Sequence, residues 1–204
     1  MSDTTTMRDL DCDSSIFAGP VDKRVIAEIS QRFPLPADFV QHMTAMHGGQ
    51  PNINSVNLRG ETFYVAEFLT FLDSKSELAG ELRPHFEYTD TDERVVKSVT
   101  SVMQYDRNFF LDEFVPFAAT QTEMCLDRGD VSFFCLDYRA SRDIPSVVLW
   151  DAHAATDEYF NWDSLPFDQR FGPDDEYINV DRDSFVYPVA DSYSEFVNML
   201  KATR

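Results

Sequence analysis

Val189-Ala190-Asp191-Ser192-Tyr193-Ser194-Glu195-Phe196 stands close to the end of a 204-residue chain and reads as the opening of a helix. Ser192 and Glu195 have the spacing of a capping box, in which each side chain satisfies a backbone N–H at the helix start. Tyr193, Phe196, Val197 and Leu200 then fall at i, i+3, i+4 and i+7. That spacing makes one apolar stripe, which a core has to cover. The stretch predicts a short terminal helix packed along one side.

Four other stretches precede it in a definite order: Leu35-Pro36-Ala37-Asp38-Phe39, His47-Gly48-Gly49, Val115-Pro116-Phe117-Ala118 and Val147-Val148-Leu149-Trp150-Asp151. The ordered set resembles the SUKH superfamily, which includes the fungal Smi/Knr cell-wall regulators and many bacterial immunity proteins. Its pattern runs LPxD(F/Y), NGG, (I/V)PFA, a Gly-Asp before an aromatic strand, V-x-x-W-D, and a closing VADSFxEFL helix. The resemblance spans roughly residues 20–201. His47 departs from the pattern, where Asn is usual. A histidine at a helix C-terminus suits the dipole when protonated, so the departure is mild. The resemblance implies structural roles for Leu35, Pro36, Asp38, Gly48, Gly49, Pro116, Phe117, Trp150, Asp151, Ala190, Asp191, Ser192 and Phe196.

The length suits one domain with a substantial core that needs neither disulfide nor metal. A hydrophobic fraction of 43% argues for a folded globule over a disordered chain. No apolar run approaches 18 residues, so no membrane span is expected. Met1-Ser2-Asp3-Thr4-Thr5-Thr6 lacks the basic and apolar regions of a secretory signal, and the expected compartment is the cytoplasm. Cys12, Cys125 and Cys135 are odd in number and lack metal-ligand spacing, which fits reduced thiols. Thirty-six acids against 17 bases give a net charge of -19. Such a field repels nucleic acid and anionic membrane and speeds encounter with a basic partner. Solubility or adaptation to high salt explains it equally well: Asp outnumbers Glu, and lysine occurs only four times. Both readings stand.

Along the chain, residues 1–19 are polar and aperiodic, an expected loosely ordered arm before a domain over 20–204. Val21, Val25, Ile26 and Ile29 predict a helix ending before Phe33-Pro34. Pro36 opens a second helix carrying Phe39, Val40, Met43 and Met46, which Gly48-Gly49 should end by taking the left-handed conformation of a C-cap. Ser55–Leu58 and Thr62–Val65 flank Arg59-Gly60-Glu61 as a hairpin. Phe68–Leu72 is ambiguous by period. Asp90 and Glu93 head a third helix bearing Val95, Val96, Val99, Val102 and Met103. Phe114–Ala118 reads as a strand whose proline suggests an edge or a strand start. Ser132–Tyr138 and Ser146–Asp151 are the best strand candidates. The sum is an α+β single domain, a mainly antiparallel sheet with helices packed on one side.

Two segments are longer than the compact family pattern: the connection between Ala118 and Phe133, and an insertion at about 154–184 rich in acids and rings. In the insertion, Tyr159, Phe160, Trp162, Asp163, Asp174, Asp175 and Glu176 are the candidate partner-binding residues. Rings supply affinity and charges supply steering in such a surface. The same rings, tucked onto the sheet, would make a minor core.

Catalytic signals are lacking. No G-x-S-x-G occurs, and pairing Cys135 with His42, His47, His85 or His153 has no support in spacing. His42 and His47 are five apart, off one helical face, and Asp181-Arg182-Asp183 lacks the glycine and glutamate of a calcium loop. Gly48-Gly49 closes a helix instead of cradling phosphate. Trp150 is expected to be half-buried against a helix, and Asp191 to be a turn or capping carboxylate. No metal, cofactor or catalytic residue is expected. The resemblance then implies a non-enzymatic protein-binding module, first an immunity protein whose partner is a basic toxin domain. The alternative is an intracellular regulatory or scaffold protein of the Smi/Knr type.

Overall fold

A computed structural model of the chain describes residues 12–13, 21–46, 49–71, 99, 113–122, 132–151 and 185–202. Helix α1 (Lys23–Arg32) starts at Asp22, whose carboxylate accepts from Arg24 N–H at 2.9 Å, and buries Val25 and Ile29. Phe33 donates back to the Ile29 carbonyl, and Pro34 ends the helix. Pro36 provides the first carbonyl of α2 (Ala37–Met46), accepting from Val40 N–H at 3.0 Å. Phe39 and Met43 are its fully buried face.

Strands β1 (Cys12–Asp13) and β2 (Gln50–Pro51) form a small antiparallel pair. The main sheet holds β3 (Ile53–Leu58), β4 (Glu61–Phe68), β5 (Phe114–Thr122), β6 (Ser132–Asp137), β7 (Ser146–Trp150), β8 (Val186–Ala190) and β9 (Lys201–Ala202). Their spatial order is β8-β7-β6-β5-β4-β3-β9, and every pairing is antiparallel. Between β8 and β9 lies α3 (Tyr193–Met199). The architecture is α+β, as expected.

Two strands consecutive in sequence except for one short helix thus occupy opposite ends of the sheet. A seven-residue helix covers only about 10 Å. In a flat sheet the separation from β8 to β3 alone would be about 24 Å, at roughly 4.8 Å per strand. The sheet is therefore rolled, and α3 lies in the roll. Phe196 accordingly packs on Phe117 (5.4 Å between ring centroids) and Phe134 (4.9 Å). Tyr193 reaches Phe39 at 4.9 Å and Phe117 at 5.3 Å. The expected stripe is buried in full, with Tyr193, Phe196, Val197 and Leu200 all at or below 1% exposure. Ser192 accepts from Glu195 N–H, while the Glu195 carboxylate takes the N–H of Asp191 at 2.8 Å. The capping oxygen is thus that of Ser192; Asp191 contributes its backbone.

Several expectations need correction. Pro116 is the third residue of β5, near the strand start as one of the two readings had it; the edge reading falls, since β5 is the middle strand of seven. It is tolerated because the β5–β6 register shifts between Pro116 and Ala118, while on the other side Leu69 N–H, just past β4, donates to the Phe117 carbonyl. The missing N–H falls at that bulge. Trp150 is buried, not half-buried. It is 4% exposed and stacks on Phe133 of the adjacent strand, at 6.2 Å and 17°. Of the glycine pair expected to cap α2, only Gly49 is described, and its carbonyl accepts from Phe68 N–H. Gly48 and His47 lie outside the described residues. So does the helix expected from Asp90 to Met103, except for Val99, which is helical, fully buried and donates to the Thr70 carbonyl.

Candidate partner-binding site

The signature residues converge on the core. Asp38 accepts from its neighbour Phe39 N–H and, across 156 residues, from the hydroxyl of Ser194. His42, one turn further along α2, meets the hydroxyl of Tyr193 through Nδ1, and its ring packs against Phe68. Leu35 and Ala190 pack against the same core. The Leu-Pro-x-Asp, Pro-Phe and Ala-Asp-Ser motifs are thereby one seam joining α2, β5 and α3. They build the scaffold.

Residues facing each other in an antiparallel pair share a face, and neighbours along a strand alternate. Phe134, paired with Leu149, carries Phe196 of α3. Phe133, Cys135, Val148 and Trp150 consequently belong to the far face, where they too are buried. His42 packs with Phe68, which pairs through Ala118 with Phe134 on the helix face, so the sheet separates His42 from Cys135. Burial, then the Asp137 charge, push the Cys135 thiol well above its ordinary range. Such a thiol stays protonated and unreactive. Asp137 is engaged by Arg139, whose guanidinium bridges both carboxylate oxygens and lies over Phe114 at 4.9 Å. No group of three or more His, Cys, Asp or Glu suited to a metal occurs among the described residues. His47, His85, His153 and Cys125 lie outside them.

Tyr138 pins the connection between α1 and α2 to the end of β6, donating to the Pro34 carbonyl at 3.0 Å beside Phe33. Burial raises its phenol above the ordinary value of 10.0. The unfolded chain therefore releases this proton first. Stability from the neutral phenol is complete below pH 10 and declines as pH climbs from there toward the folded value. In urea titrations Tyr138→Phe should cost about 1 kcal/mol at pH 7, the worth of one hydrogen bond. Above pH 10 that deficit should shrink by up to about 1.4 kcal/mol per pH unit.

Tyr159, Phe160, Trp162, Asp163, Asp174, Asp175 and Glu176 all lie outside the described residues. What the structure defines is the root of the segment that carries them. Trp150 pairs with Val186, and Asp151 N–H donates to the Phe185 carbonyl at 2.9 Å. Ser132 at the start of β6 reaches the Asp151 carboxylate at 3.3 Å. Residues 152–184 thus leave and re-enter the sheet at one point, between adjacent antiparallel strands. That stretch holds nine acids, two bases and six aromatic rings. The β5–β6 connection, the other lengthened segment, and the β3–β4 turn leave from the same end of the sheet. Composition alone flagged the segment; the pairing that roots it needed the structure.

The rolled sheet, the helix laid inside it and a signature spent on packing define the class of fold. The chain belongs to the SMI1 / KNR4 family (SUKH-1), whose model matches residues 20–199. No curated protein and no solved structure matches it. No helix among the described residues is long and apolar enough to cross a membrane.

Proposed function

We propose that the chain is a protein-binding module that binds and neutralises a cognate bacterial toxin, with the rooted acidic and aromatic segment as its contact surface. Membership of a family of immunity-type and Smi/Knr-type proteins supports the class of function. The observation that carries the assignment of the surface is the closed root at Trp150–Val186 and Asp151–Phe185, which gives a long segment a rigid base. Rings such as Tyr159, Phe160 and Trp162 supply burial on contact, and Asp163, Asp174, Asp175 and Glu176 supply steering toward a basic toxin domain. The chain needs no chemistry of its own for this.

The direct test is co-expression with a toxin encoded beside the chain's gene. Restored growth supports neutralisation; a partner that binds and keeps its activity favours the regulatory reading, which the same family description also covers. Steering has its own test. Changing Asp174, Asp175 and Glu176 to the matching amides should slow association with the toxin about three- to tenfold at low ionic strength. The difference should fade in high salt, where charges a Debye length apart are screened. Equal on-rates at low salt would remove the acids from the mechanism.

A further inference from the structure

Arg59 occupies the first central position of the two-residue β3–β4 turn with φ 54°, followed by Gly60 at 86°. Two successive positive φ values mark a type I′ turn, where Asn-Gly is the favoured pair. An arginine there is conformationally costly, since its Cβ crowds the following carbonyl in the left-handed region. Local structure gives no reason for it. Its side chain does: the Arg59 guanidinium carbon stands 4.3 Å from the ring centre of Tyr187, on β8. Four strands lie between β3 and β8 in the sheet, so this contact spans the opening of the roll. Tyr187 is two residues beyond Phe185, the return point of the 152–184 segment.

We infer that Arg59 and Tyr187 form a clasp that shuts the rolled sheet and fixes the strand by which the long segment re-enters the fold. Arg59 is a positioning residue: it acts on the segment's base through Tyr187. The clasp rests on described geometry alone and holds whether or not the segment binds a toxin. A planar guanidinium over a ring is the required chemistry, and an ammonium is a poorer substitute.

Arg59→Asn is the informative variant because it improves the turn while removing the clasp. Hydrogen exchange of the Asp151 and Tyr187 amides, which belong to the hydrogen-bonded positions of the β7–β8 ladder, should accelerate about two- to fivefold, the range a partly exposed cation–π contact provides. The amides of Val25 and Ile29 in α1 should exchange as before, and the urea midpoint should hold or rise. Arg59→Lys should fall between the variant and the parent, and Tyr187→Leu should reproduce the faster exchange at Asp151. Unchanged exchange at Asp151 and Tyr187 in Arg59→Asn would overturn the clasp. So would an acceleration spread equally over α1.

Discussion

Phe196→Ala should lower the free energy of unfolding by about 3–5 kcal/mol, read from the shift of a urea transition. The side chain is fully buried and touches three other rings, Phe117, Phe134 and Tyr193. Its removal leaves a cavity whose walls belong to two central strands and cannot easily collapse. A helix of seven residues has no stability apart from its packing. Losing the anchor therefore loosens α3 as a whole, and with it β9, which caps β3 through Ile53↔Ala202 and Ser55↔Lys201. For a domain whose total stability is on the order of 5–15 kcal/mol, the variant approaches the unfolding threshold. Phe196→Leu, which keeps much of the volume, should lose clearly less and retain the transition's steepness. An Ala variant within 1 kcal/mol of the parent would mean that α3 is peripheral, not seated in the roll.

The success of the terminal stretch as a predictor has a plain cause. A capping box and an i, i+3, i+4, i+7 stripe are local devices, and Ser192, Glu195, Tyr193 and Phe196 behave as their spacing demands. The hairpin at Arg59-Gly60 was legible for the same reason. For Pro116 the strand start was readable but the edge alternative was wrong, because the rule for proline concerns hydrogen-bond register, and register is a property of two strands. Nothing in Val115-Pro116-Phe117 reveals where the β5–β6 register shifts. The full burial of Trp150 was hidden likewise, its neighbour Phe133 being fixed by the β6–β7 alignment. The joining of Asp38 to Ser194 and of His42 to Tyr193 is purely tertiary. Sequence order alone could show only that these residues recur together. As for the candidate site, its acids and rings were readable from composition, whereas the closed root required strands 35 residues apart to be found side by side.

That root yields the second large effect. On the function proposed above, replacing residues 153–183 with Asn-Gly should leave the domain folded and abolish protection against a cognate toxin. Asp151 and Phe185 are already hydrogen-bonded and Trp150 already faces Val186, so a short turn joins them without moving either strand. Shortening the loop by about three doublings lowers the closure cost by roughly 2 kcal/mol, so the urea midpoint should stay or rise. The chain has two tryptophans, and the excision removes Trp162, leaving Trp150 as sole reporter. Trp150 is buried on the sheet face away from the described helices, so its emission tells whether that face stays covered. Blue emission, an intact transition and lost protection fit a presented binding segment. Red-shifted emission with several kcal/mol of lost stability would instead make the rings of 152–184 a second core, and the partner surface would have to be sought elsewhere.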